Sequence, residues 1–261
     1  MSKFIVSLLG AVWVVESLVV ATSATPQQGR AAALLADARQ ALGGESRLAS
    51  VKTFVLKGRI ALGRTPASSN AIRVGPAAAP NASRIGAFEI DCELPKKFVR
   101  IDNRQLFNSN GPAARGGTAT DGQPAVQLTT STTGFNGDHL IGNQGSSTGA
   151  GALARATFVN VTLGIFASSF AGLPLQFSDA LGSDRSVLVT GAIPGAEFHA
   201  TLSFDPQTHL PATLNDMTYA DYRDVSGVKI PFRFVSDREE LDVTDARVDV
   251  AIKASMFKVG R

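Results

Sequence analysis

The stretch Gly145-Ser146-Ser147-Thr148-Gly149 is where spacing alone suggests covalent chemistry in this 261-residue chain. It fits G-x-S-x-G, which would hold Ser147 on a sharp turn as a nucleophile. Asp179, followed by His199 or His209, would supply a hydrolase's acid and base in chain order. Such a nucleophile needs a buried strand directly before it and a helix after it, within alternating strand and helix units. Here Asn143-Gln144 lead into a stretch rich in Gly and Ser, and the residues beyond read as antiparallel strands. No catalytic residue is therefore assigned, and the chain is not expected to be an enzyme.

Other chemistry has less behind it. His139, His199 and His209 lack metal-ligand spacing, and H-E-x-x-H is absent. His199 falls on the polar phase of a strand and His209 in a turn, so surface positions are expected. Glu89, Asp91 and Glu93 alternate along one strand and share a face. Three carboxylates in such a row describe a solvated sheet face before an acid–base pair or a calcium site. No phosphate-binding or dinucleotide-binding glycine loop occurs, so no cofactor is expected. The net charge of +3 comes from scattered Lys and Arg, with Lys96-Lys97 the densest basic step. That excludes the basic stripe of a nucleic-acid binder.

The elements that must position any site begin after a leader. Lys3 precedes an apolar run from Phe4 to Val20, and Ala21-Thr22-Ser23-Ala24 offers small residues for cleavage. This is the layout of a secretory signal peptide over 1–24. The remaining chain is expected to be periplasmic or secreted, with no stable transmembrane segment after cleavage. Cys92 is the only cysteine, so neither an intramolecular disulfide nor a lipid-bearing cysteine after the cleavage site can form.

From Arg30 to Leu42, the spacing of Leu35, Ala38 and Leu42 predicts an amphipathic helix stopped by Gly43-Gly44, and 45–50 reads as a short turn. Residues 51–62 alternate as a half-buried strand, with Phe54, Leu56, Ile60 and Leu62 on one face. FEIDCEL and KKFVRID predict a hairpin about Pro95, with Phe88, Ile90, Cys92 and Leu94 on one side. Residues 63–86 and most of 108–151 read as loop. In 152–170, Val159, Leu163 and Phe166 follow helical spacing beside a stripe of Phe158, Val161 and Ile165. The β-branched residues there make a strand the competing reading. Short strands follow, ending with 245–254. In the last hairpin, 219–234, a three-residue loop Val225-Ser226-Gly227 is preferred to a two-residue Ser226-Gly227 loop. It groups Ala220, Tyr222, Val228, Ile230 and Phe232, and leaves Pro231 outward on an edge.

The patterns ALGGESRLASVKTFVLKGR, GFNGD, FDPQTHLP and DYRDVSGVKIPFRF, with a closing strand and Phe257, resemble exported bacterial proteins related to the outer-membrane lipoprotein-sorting carriers, the LolA and LolB type. The resemblance runs from Arg30 to Phe257. It implies a mainly β fold with a few helices over 25–261: a curved antiparallel half-barrel covered on its concave side by α-helices. It also implies a hydrophobic cavity between sheet and helices, suited to a lipid or a lipoprotein acyl chain. The apolar positions that would line it are Phe54, Leu56, Ile60, Phe88, Ile90, Phe198, Leu202, Ile230 and Phe232 on strands, with Phe158, Leu163 and Phe166 on the covering segment. A non-enzymatic binding or carrier protein is expected on this ground, with lipids, lipoprotein acyl chains or envelope proteins as partners. The alternative is a structural or interaction module of the cell envelope whose core is filled by its own side chains.

Overall fold

The structure is a computed structural model that describes residues 26–62, 85–107, 126–142, 148–168, 173–194 and 196–258. The expected leader, Ser147, most of 63–86 and the middle of 108–151 lie outside the described residues. Twelve strands form one antiparallel sheet: β1 Thr53–Leu62, β2 Ile85–Glu93, β3 Lys97–Phe107, β4 Val126–Asn136, β5 His139–Gly142, β6 Leu175–Asp179, β7 Ser186–Ile193, β8 Ala196–Phe204, β9 Pro211–Leu214, β10 Met217–Val225, β11 Val228–Val235 and β12 Glu239–Val248. Their order is β5-β4-β3-β2-β1-β12-β11-β10-β9-β8-β7-β6. The sheet is half-barrel-like and does not close, so β5 and β6 are its edges.

This order accounts for the longest helix. The chain runs outward from β1 to one edge at β5 and resumes at the opposite edge in β6, so the connection must cross the sheet. Helix α3, Thr148–Phe166, makes that crossing. Its length is about 28 Å, whereas twelve flat strands would measure about 53 Å across; curling the sheet shortens the gap. Phe158, Val159, Val161, Leu163, Ile165 and Phe166 are all buried, so apolar contact runs round most of α3 rather than along one stripe. The helical reading therefore holds for 152–166, and the strand reading does not; 169–170 lie outside the described residues. Among the described residues α3 is the one helix long and apolar enough to cross a membrane, and here it is packed into the core.

Helix α1, Pro26–Leu42, buries Ala31, Leu35, Ala38 and Leu42 at the spacing of one helical face. It stops where Gly43 meets the β10–β11 turn: a Cβ on Gly43 would lie 2.3 Å from the Gly227 carbonyl oxygen. Residues 45–50, expected as a turn, form a short helix α2, Glu45–Ser50, tied to α1 by Arg39 and Glu45 at 2.7 Å. Six residues with one buried side chain, Leu48, carry too little periodicity to announce a helix.

Two further expectations are corrected. Residues 126–133, expected as loop, belong to strand β4; the run of Thr and Ser gave no apolar alternation, although Thr is at home on a pleated surface. The last strand is Glu239–Val248, not 245–254. The ladder ends at Asp249, which takes φ 55 and donates its N–H to the Thr53 carbonyl oxygen at 2.9 Å. Beyond it, a 3-10 turn at Ala254–Phe257 sets Phe257, Met256 and Ile252 against Val99, Ile101 and Ile141 in a second apolar cluster.

The last hairpin closes through the two-residue loop, with Val225 opposite Val228 and positive φ at both Ser226 and Gly227. Strict alternation in that register would turn Asp221 and Arg223 inward, and Asp221 itself prevents this. Its φ of 54 turns the strand without shifting its pairing, so Tyr219 and not Ala220 is buried and Asp221 pairs with Arg223 at the surface. Pro231 is buried on a strand with neighbours on both sides, not on an edge. Pairing of β11 with β12 begins only at Arg233, and the missing N–H of Pro231 falls before that ladder.

Candidate functional site

The apolar positions singled out from the sequence do come together. Phe54, Leu56, Ile60, Phe88, Ile90, Phe158, Leu163, Phe166, Phe198, Leu202 and Ile230 are buried in one cluster, with Phe232 partly buried at its margin. Phe158 stands edge-on to Phe98 and Phe135, with ring centres 5.7 and 5.4 Å apart, and Phe54 meets Phe166 at 6.0 Å. These side chains pack within that one cluster. Phe232 lies beneath the Arg223 guanidinium, 4.4 Å from the ring centre.

A cleft of about 610 Å³ is lined by none of those twelve residues. One wall is the row Phe98, Arg100, Asp102 and Arg104 on β3, next to Thr129, Ser131 and Thr133 on β4. Leu153, Thr157, Asn160 and Val161 of α3 form a second wall. Asp216 and Met217, then Phe234, Ser236, Arg238, Glu239 and Leu241, close the remaining side. The signal in the sequence was the phase of KKFVRIDNR: residues in step with the buried Phe98 are Arg100, Asp102 and Arg104, charges pointing where a core residue belongs.

Those charges form a linked network. Arg100 places Nη1 and Nη2 on the two Glu239 oxygens at 2.7 and 2.8 Å, and its Nε on Asp102 at 2.8 Å. Arg104 Nη2 donates to Asp102 at 2.8 Å and Glu239 at 3.1 Å. Burial pulls the Arg100 guanidinium down, but its bonds to Glu239 and the charge of Asp102 outweigh burial and leave its pKa above the ordinary arginine value. Glu239 stands three strands from β3 in the sheet order, so the bidentate pair spans the sheet surface. Gly86 lies opposite Arg104, where a Cβ would come 3.4 Å from Arg104 Cγ and 2.5 Å from the Asn103 carbonyl oxygen.

Two tyrosines fix α3 over this end of the sheet. The Tyr219 hydroxyl donates to the Asn160 carbonyl oxygen at 2.7 Å, and the Tyr222 hydroxyl lies 2.9 Å from the carbonyl oxygens of Gly164 and Pro211. Burial raises both phenols well above their ordinary pKa, so they act as neutral donors.

The residues with catalytic spacing are engaged apart from one another. Asp179 accepts the Ala31 backbone N–H at 2.7 Å and pairs with Arg30 at 3.3 Å. His199 is exposed beside Glu197 at 3.2 Å, and His139 and His209 are exposed. Asp205 holds the turn before His209 by accepting from Gln207 and Thr208, and those bonds lower its pKa. In the acidic row, Glu89 pairs with Lys57 at 2.7 Å and Glu93 with Lys97 at 2.9 Å. Asp91 breaks the expected solvated face, because it is buried. In register it sits between Val55 and Val99, both buried. Burial, then the charge of Glu89, pushes its carboxyl up to about 6. Among the described residues no group of three His, Cys, Asp or Glu could hold a metal ion. In comparison with known proteins, the chain matches no family model and no curated sequence.

Proposed function

We propose that this chain is an exported, non-enzymatic binding or carrier protein that holds a lipid or another ligand with an apolar chain. In this reading α1 and α3 cover the concave side of the half-barrel, and the ligand occupies the cleft beside α3 rather than the packed core beneath it. The observation that carries the reading is the cleft itself. Its volume of about 610 Å³ lies in the range of small-molecule sites. Its lining is apolar at Phe98, Val161, Phe234 and Leu241, and polar at Arg100, Arg104 and Ser131. A surface with both characters suits an amphiphile.

A native mass spectrum of the protein purified after export, without detergent, tests this. A discrete added mass that is lost on organic extraction is the expected result. Leu153 is 58% exposed at the cleft, so Leu153→Asp is expected to leave a folded protein with at least about tenfold weaker uptake. A bare mass that stays bare after incubation with envelope lipids would sink the reading. It would favour the second one, an envelope interaction module, for which the burial of eleven of the twelve apolar positions in one cluster is the supporting observation.

A further inference from the structure

Taking the carrier reading as its basis, we propose that the cleft selects ligands with an oxyanion head, a carboxylate or a phosphate, held by Arg104 and Arg238 while the chain lies along Phe98 and Leu241. Polar groups of the cleft that still have bonds to make set this preference. Asp102 and Glu239 are already engaged, since each accepts from both Arg100 and Arg104. Arg104 gives that network only its Nη2, and its Nε is buried with no hydrogen-bond partner. Arg238 lines the same cleft, is exposed, and makes no ion pair among the described residues.

Net charge does not decide the matter, because Asp216 also lines the cleft and three carboxylates face three arginines. Unspent capacity does. The network's carboxylates are occupied, whereas guanidinium N–H groups remain, and planar guanidinium forks match carboxylate and phosphate oxygens in geometry as well as charge. A cationic head could turn only to the exposed Asp216, because the Asp102 and Glu239 oxygens are held by two arginines. A neutral head would leave the donors around Arg104 without the charge-assisted bonds they can make.

The test is a calorimetric titration of the purified protein with sodium myristate below its micelle concentration, with myristyl alcohol, and with inorganic phosphate. Myristate is expected to bind at least about tenfold more tightly than the alcohol of the same chain. Arg238→Gln lies outside the buried network, so it is expected to keep the thermal midpoint of the wild type while bringing the two ligands to near-equal affinity. Arg104→Gln is expected to do the same to the ratio but also to lower stability, because it leaves Asp102 and Glu239 with Arg100 as their one arginine partner; the Arg238 variant therefore carries the decision. Equal affinity of acid and alcohol in the wild type would overturn the oxyanion site and leave the carrier reading standing. Phosphate binding as tight as myristate would uphold the oxyanion site, identify a free anion as its ligand, and overturn the carrier reading. No binding of any of the three probes would overturn both.

Discussion

At the scale of single residues, the acidic row on β2 shows how one alternating pattern covers two physical situations. Glu89 and Glu93 have lysine partners at the surface, and Asp91 between them is buried. Lys57 and Arg247 pull its carboxyl down but do not offset burial and Glu89, which leave it at about 6 against an ordinary 3.8. A folded pKa above the unfolded one means that the folded state holds the proton more tightly. The contribution of Asp91 to stability is therefore full below about pH 4, falls as pH rises towards 6, and is flat above that. Asp91→Asn removes the charge without changing shape and is expected to be more stable than the parent at pH 7.5 by up to about 3 kcal/mol. The gain should vanish near pH 4. Urea unfolding at the two pH values measures this; an equal or smaller stability at pH 7.5 would show that Lys57 and Arg247 hold the charge after all.

At the scale of elements, what the sequence made legible was the part written in apolar periodicity. The α1 face of Leu35, Ala38 and Leu42, the alternation in β1 and β2, and the apolar α3 all follow from the spacing of buried side chains. What it hid had other signals. Strand β4 presents Thr129, Ser131 and Thr133 to a cleft, so neither phase is apolar. The β10–β11 register turned on a positive φ at Asp221, a conformation that no side-chain pattern records. The cleft was hidden for the same reason as β4, since its residues are polar and come from distant elements. Gly164 illustrates the limit of propensity. Alanine is the better helix former by about 1 kcal/mol, yet a Cβ at Gly164 would lie 2.6 Å from the Tyr219 ring, and that ring is fixed by its bond to Asn160. Gly164→Ala is therefore expected to destabilise by about 1–3 kcal/mol net, read as a lower thermal midpoint; a rise would mean that the ring can yield.

At the scale of the whole molecule, the sheet order divides the chain into two arms joined by little backbone. Strand β12 pairs with β1 from Glu239 to Val248, which ties it to the arm of β1 to β5. Its pairing with β11 runs only from Arg233 to Val235, so the arm of β6 to β11 hangs on a short ladder and on the helices. Helix α3 reaches both arms: Phe158 packs on Phe98 and Phe135 in one, and Tyr219 and Tyr222 hold its backbone from the other. Removing both hydroxyls by Tyr219→Phe and Tyr222→Phe keeps the rings and deletes the bonds. The cost is expected to be about 1–3 kcal/mol, with the loss confined to one side of the seam. Hydrogen exchange should speed up in β9 to β11 together, including the amides of Arg233 to Val235, while β1 to β3 keep their protection. Acceleration spread evenly over all twelve strands would show instead that the sheet opens as one cooperative unit and that α3 is not what holds its arms together.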